Sequence, residues 1–284
     1  MYIHKRLIPL FILVLLFPLP AMAADEIEGK IGDGRTGLNL AAVGEVIDYN
    51  LANNSRDGFS AHKMNYILPL TVSNYHRDRQ DIEIKFQISV KQRLLAFYGW
   101  AFFFAYTQTS FWQAYDVEGS SPFRENVFNP EIFLRTKMWD GMRFDSGIEH
   151  NSNGRAGVES RTWNRVYITP YYENERFILS LKGWCRVKTG REQRINENPG
   201  ITRYYGYAEL GAALKFPSLR DTRISGIFRY NPVWNRGAAE VNLTIPMLLN
   251  SMKWMFHYYE GYGESLIDYN IYQRKGGLGF CFTI

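Results

Sequence analysis

Cysteine is nearly missing from this chain, with two among 284 residues, so no disulfide framework shapes it. Long apolar runs are scarce too. Beyond the first two dozen residues nothing approaches the roughly 20 consecutive apolar residues of a membrane helix, which excludes a helical membrane bundle. Charge of one sign is lacking as well: 33 Lys and Arg face 28 Asp and Glu, and a formal net charge of +5 is too mild to argue for nucleic acid.

The one apolar run lies at the start. Met1 to Ala23 has a short basic region with Lys5 and Arg6, an apolar stretch from Leu7 to Leu19 broken by prolines, and the small-residue close Ala21-Met22-Ala23. These are the parts of a secretory signal peptide, too short to span a bilayer. Losing Lys5 and Arg6 with it lowers the formal net charge to +3. Residues 24 to 62 are polar and rich in Gly, Asn and Asp with little sustained alternation, which predicts a periplasmic N-terminal arm or loop.

Aromatic residues are abundant: 19 Tyr, 19 Phe and 7 Trp. Plentiful aromatics without apolar runs suggest a transmembrane β-barrel, whose interfacial girdles consume Tyr, Trp and Phe and whose alternation hides apolar content from averages. A secreted all-β sandwich is the alternative. From about residue 63 the polarity alternates in segments of about 10 residues, most clearly Ile82, Ile84, Phe86, Ile88 and Val90 against Glu83, Lys85, Gln87, Ser89 and Lys91. Twelve such segments predict a twelve-stranded antiparallel barrel over 63 to 284: 66–75, 82–91, 97–108, 130–139, 142–153, 161–174, 176–188, 203–216, 221–231, 236–247, 252–263 and 268–283. An even count suits a bacterial outer-membrane protein.

Tight connections at Asp140-Gly141 and Asn174-Glu175 alternate with longer ones at 109 to 129, 154 to 160 and 189 to 202, and short turns belong on the periplasmic side. The chain ends Leu278, Phe280, Phe282 and Ile284 on one parity, where outer-membrane strands usually finish in Phe. Arg143, Glu149, Arg165 and Lys182 take inward parity and predict a salt-bridged lumen, which argues against a porin. Cys281 takes lumen parity and Cys185 lipid parity, so the two should not pair.

Against that pattern, one hairpin puts polar chemistry on its apolar face. His150 and Ser152 share parity with Met142, Phe144 and Ile148, and Asn164 on the returning segment shares parity with Val166 and Ile168. Two residues apart on a strand, His150 and Ser152 have Cα atoms about 6.6 Å apart on one side, within reach of a base and its hydroxyl. A hairpin symmetric about Gly157 pairs 150 with 164, so Asn164 can orient the imidazole. Backbone N–H groups around Asn153-Gly154 are the candidate oxyanion donors. Polar residues sharing an interfacial face by chance would give the same parity.

The wider string His150-Asn151-Ser152-Asn153-Gly154-Arg155, followed by Ser160-Arg161-Thr162-Trp163-Asn164-Arg165, closely resembles the signature of the outer-membrane phospholipase A family. The resemblance runs on through Tyr106-Thr107-Gln108, Ser120 to Glu125, Asn198 to Thr202 and Gly261 to Asn270, covering most of the chain from about residue 62. It implies Ser152 as nucleophile, His150 as base and Asn164 as orienting amide. It also implies Ca²⁺ near the oxyanion, held in a homodimer by the carbonyls of Arg155 and Ser160 and the hydroxyl of Ser120. Asp116 and Glu118, in the same loop as Ser120, are alternative ligands on their chemistry alone. Gln108 matches a position that hydrogen-bonds across the dimer interface, or else lies at the wet end of its strand. The expected protein is a calcium-dependent enzyme of the Gram-negative outer membrane, hydrolysing acyl esters of phospholipids and lysophospholipids near the outer leaflet.

Overall fold

The computed structural model describes residues 59–75, 81–97, 99–139, 141–188, 198–220, 222–247 and 252–282, with a two-residue ladder pairing Ala41–Ala42 and Glu45–Val46. The expected signal peptide, most of the expected arm and the terminal Ile284 lie outside the described residues. Twelve long strands form the wall. They are β1 (Asn65–Ser73), β2 (Ile82–Phe97), β3 (Trp100–Trp112), β4 (Phe123–Trp139), β5 (Met142–Ser152), β6 (Thr162–Glu173), β7 (Phe177–Val187), β8 (Ala208–Phe216), β9 (Thr222–Asn231), β10 (Arg236–Pro246), β11 (Met252–Tyr262) and β12 (Tyr272–Phe282). Each pairs antiparallel with its neighbours in sequence, and β12 pairs with β1, which closes the barrel and removes every long edge.

Alternation in the sequence becomes two chemically opposite walls. Outward positions carry Ile88, Phe104, Ile132, Ile148, Val166, Leu181 and Val241, all well exposed as a lipid-facing belt requires. Inward positions bury charge and satisfy it. Glu149 meets Arg165 at 3.0 Å and Lys182 at 3.2 Å, Arg135 meets Asp145 at 2.7 Å, and Arg143 meets Glu173 at 2.9 Å. The lumen is therefore crossed by ion pairs, as the inward parity of Arg143, Glu149, Arg165 and Lys182 predicts, and a cavity of about 230 Å³ remains among them. Cys185 is exposed on β7, Cys281 is buried on β12, and both are free.

Several strand ends differ from the expected bounds. Strands β3 and β4 run to Trp112 and from Phe123, leaving a connection of 113 to 122 where 109 to 129 was expected. Thr107, Ser110 and Glu125 find partners across the wall or lumen, so polar sequence there continues the ladder. Residues Thr202–Tyr205 form a helical turn, and β8 starts only at Ala208. Tyr205 buries against Trp163 and hydrogen-bonds the Gly263 carbonyl, drawing this loop over the barrel mouth.

A three-residue strand, Phe59–Ala61, pairs with Val90–Gln92 of β2 before the chain bulges at 62 to 64. His62 and Met64 turn into the lumen, where His62 Nε2 lies 2.7 Å from Glu131 Oε1 of β4. A β-bulge that re-aims side chains in this way explains why the polarity pattern is broken there.

Candidate active site

The β5–β6 hairpin carries the site, and its register follows from alternation on both strands. His150 stands opposite Asn164, Ser152 opposite Thr162, and Ile148 opposite Val166. Along β5 the residues at 143, 145, 149 and 151 are buried while 148 is exposed and 150 and 152 are partly so, which puts His150 and Ser152 on the outer wall. The His150 ring meets Asn164 through Nδ1 and Oδ1 at 2.7 Å. An amide oxygen only accepts, so Nδ1 carries the proton and Nε2 keeps its lone pair for a hydroxyl.

Below the site, toward the short-turn end, Ile132, Ile148 and Val166 lie in one row across β4, β5 and β6 and are all exposed. This apolar track suits an acyl chain.

Beyond Ser152 the chain leaves the ladder through Asn153 and Gly154. Gly154 has φ +65, a left-handed conformation that glycine adopts freely, and a Cβ there would stand 3.0 Å from the Phe128 ring. Asn153 staples the loop of 153 to 161. Its Oδ1 accepts from Arg161 N at 2.9 Å and Arg155 N at 3.3 Å, and its Nδ2 donates to the Glu159 carbonyl at 2.9 Å and to Glu125 Oε1 at 3.3 Å. Arg155 bonds Glu159 and the Arg124 carbonyl. The short turn Gly157–Glu159 is thus held between the backbones of Arg155 and Ser160.

A base oriented by an amide, beside a serine on a greasy outer wall, can transfer an acyl group from lipid. A family model described as phospholipase A1 matches residues 47–282. The chain belongs to the phospholipase A1 family. Phospholipase A1 of Escherichia coli (strain K12) is 37% identical over 213 residues, spanning 69% of this chain and 68% of the relative. The Klebsiella pneumoniae phospholipase A1 is 32% identical over 249 residues, spanning 78% and 81%. Among solved structures, outer membrane phospholipase A from E. coli superposes with a TM-score of 0.72 at 31% identity, covering 79% of this chain and 98% of that one. A Salmonella typhi outer membrane phospholipase dimer with bound calcium gives a TM-score of 0.74 at 29% identity, covering 82% and 94%. An E. coli active-site mutant with an asparagine-to-alanine change gives 0.73 at 29%. Our chain is an outer-membrane phospholipase.

Within this phospholipase A1 fold the remaining candidates are spread along the same wall. Gln108 of β3 stands opposite Phe128 of β4, which stands opposite Ser152, so one row joins them. It belongs to an outward polar ladder in which Tyr106 Oη donates to Gln108 Oε1, Gln108 Nε2 donates to Ser110 Oγ, each at 3.1 Å, and Ser110 Oγ donates to Asn126 Oδ1 at 2.7 Å. Ser120 is exposed in the β3–β4 loop, where Ser120 and Ser121 have φ of 61 and 48. Asp116 Oδ1 accepts from Gly119 N at 2.9 Å, and the Asp116 carbonyl accepts from Ser121 N at 2.7 Å, tightening that loop.

Two contributors escaped the sequence reading. The Asn153 side chain was visible only as part of an Asn-Gly pair, a turn signal that does not say what the amide will hold. Glu125 bonds both Asn153 and, at 2.7 Å, the Ile267 backbone N–H, tying the β5–β6 loop to the β11–β12 loop. The resemblance through Ser120 to Glu125 includes it but gives it no role, because its partners lie on loops distant in sequence.

Proposed function

We propose that the chain hydrolyses acyl ester bonds of phospholipids and lysophospholipids through Ser152, His150 and Asn164 on its lipid-facing wall, with A1 and A2 activity, as a calcium-promoted homodimer. The observation that carries this reading is the 2.7 Å contact between His150 Nδ1 and Asn164 Oδ1 on the outer face. The asparagine changed in the E. coli active-site mutant supports it from a relative. Residues 1–23 are read as the signal peptide and the segment after them as a periplasmic arm.

Nε2 of His150 takes the Ser152 hydroxyl proton as Oγ adds to the ester carbonyl, giving a tetrahedral oxyanion and an imidazolium. Collapse expels the lysolipid alcohol, which leaves with the proton from Nε2, and the acyl group stays on Oγ. Water, deprotonated by the same imidazole, then releases the fatty acid. Asn164 holds the tautomer throughout, and with the Asn153 N–H already given to the Arg161 carbonyl, the Gly154 N–H is the backbone donor assigned to the oxyanion. A neutral amide does not offset imidazolium charge, so this site needs help at the oxyanion.

Calcium fits that need. Among the described residues no three His, Cys, Asp or Glu gather into a metal cage. The Arg155 and Ser160 carbonyls bracketing one stapled turn are neutral oxygen donors, which suit a weakly held ion that keeps waters. Ser120 would complete the set in the dimer, and an ion held there would supply positive charge to the developing oxyanion. The Ser160 carbonyl also accepts from Arg161 Nη1 at 2.9 Å, so that guanidinium would have to share the oxygen with calcium or give it up.

The test is calcium-dependent fatty-acid release from phospholipid by the refolded protein in detergent. Ser152→Ala should lose turnover by at least about 10³-fold while keeping its fold. Full turnover in that variant would end the assignment.

A further inference from the structure

We propose that Asn129, on the lumen side of β4, is a positioning residue for His150, its side-chain amide replacing a ladder hydrogen bond that Pro130 cannot give. This rests on the reading of His150 as the base. Pairing of Phe128 with Ser152 and of Glu131 with Glu149 brings Pro130 opposite His150. Along β5, successive residues present their backbone N–H and C=O to alternate neighbours. Asn153 donates its N–H toward β6, to the Arg161 carbonyl, so His150 presents its own pair toward β4. There it meets a proline, which has no N–H.

Asn129 fills the gap from inside the barrel. Its Nδ2 donates to the His150 carbonyl at 3.0 Å. Its Oδ1 accepts from Lys63 Nζ at 2.9 Å, and Nδ2 also lies 3.5 Å from Glu149 Oε2, so both ends of the amide are assigned by charged neighbours. Lys63 is fixed in turn, 3.5 Å from Glu131 Oε1, beside the 2.7 Å pair of His62 and Glu131. The bulge at 62 to 64 therefore reaches across the lumen to the inner face of the strands that hold the site.

A carbonyl without a donor is costly at membrane depth, and a strand relieves it by twisting toward another donor. At position 150 that twist rotates the imidazole away from Asn164 and Ser152. The outer-wall chemistry thus depends on an inner-wall amide through one backbone oxygen.

The experiment compares refolded full-length protein in detergent with calcium, reading kcat, KM and heat-modifiable migration, for Asn129→Ala, Pro130→Ala, the double variant and His150→Ala. Asn129→Ala should lower kcat about tenfold with KM within about twofold. Pro130→Ala should stay near wild type, and the double variant should regain most of the lost kcat, because residue 130 then has an N–H to give. Wild-type kcat in Asn129→Ala, or a double variant as slow as the single, overturns the positioning role. Should Asn129→Ala fail to fold, the double variant decides alone: near-wild-type kcat supports the role, and a tenfold loss refutes it. A fully active His150→Ala would instead overturn the underlying assignment of the base.

Discussion

One contact, from His150 Nδ1 to Asn164 Oδ1 at 2.7 Å, sets what the site can do. An amide fixes the tautomer as a carboxylate does, yet it adds no negative charge to balance the imidazolium. Its worth should therefore be close to that of one well-placed hydrogen bond. Asn164→Ala should reduce kcat by about tenfold, equivalent to about 1.4 kcal/mol, with KM little changed, read from steady-state fatty-acid release. A loss as large as that of Ser152→Ala would mean that the asparagine carries more than orientation. The placement of these residues is legible from parity alone: alternation put His150, Ser152 and Asn164 on the outside, and the register on both strands agrees.

At the scale of elements, the loops at the site's end of the barrel are folded into it and locked by charge. Glu264, in the β11–β12 loop, stands 3.1 Å from Lys85 and 3.4 Å from Lys275. Burial alone would raise its carboxyl, but these two ammonium groups hold it down to about 2. A depressed carboxylate stabilises the folded state above its unfolded value of 4.5, and that contribution fades as pH falls from there toward 2. Thermal unfolding in detergent should show stability falling from pH 5 to pH 2, and Glu264→Gln should flatten this slope. An unchanged slope would mean that the loop is held by other groups. None of this was legible beforehand, because Glu264 meets Lys85 and Lys275 only once the barrel closes. The strand list was legible, since alternation is local, whereas its errors gather where the alternation is interrupted. The expected start of β4 at Pro130 is the clearest case: the strand begins at Phe123 and runs through the proline, a backbone gap bridged by a side chain from the lumen. The helical turn at Thr202–Tyr205 likewise depends on Tyr205 finding Trp163, a partner on β6.

For the whole molecule, a lumen crossed by buried ion pairs and an outer wall that carries His150, Ser152 and Asn164 point function sideways into the bilayer rather than through the barrel. The same exterior is where a second copy would sit, and Tyr106 and Gln108 head a polar ladder on it that runs through the buried Ser110 to Asn126. Gln108 shares its row with Ser152, two strands away, so a partner seated over Gln108 also lies beside the acyl-chain track. A polar contact between subunits in hydrocarbon contributes about 0.6 to 1.7 kcal/mol, or roughly threefold to eighteenfold in association. Replacing Gln108 with Leu removes the amide that could make such a contact. If Gln108 lies in the interface, Q108L should weaken dimer association by about threefold or more, read from the protein concentration at half-maximal crosslinking with calcium, with the monomer still folded. Activity should fall in parallel at limiting protein and recover at high protein, because mass action restores the dimer. An unchanged half-maximal concentration would confine the ladder to a role within one barrel and move the interface elsewhere on the wall.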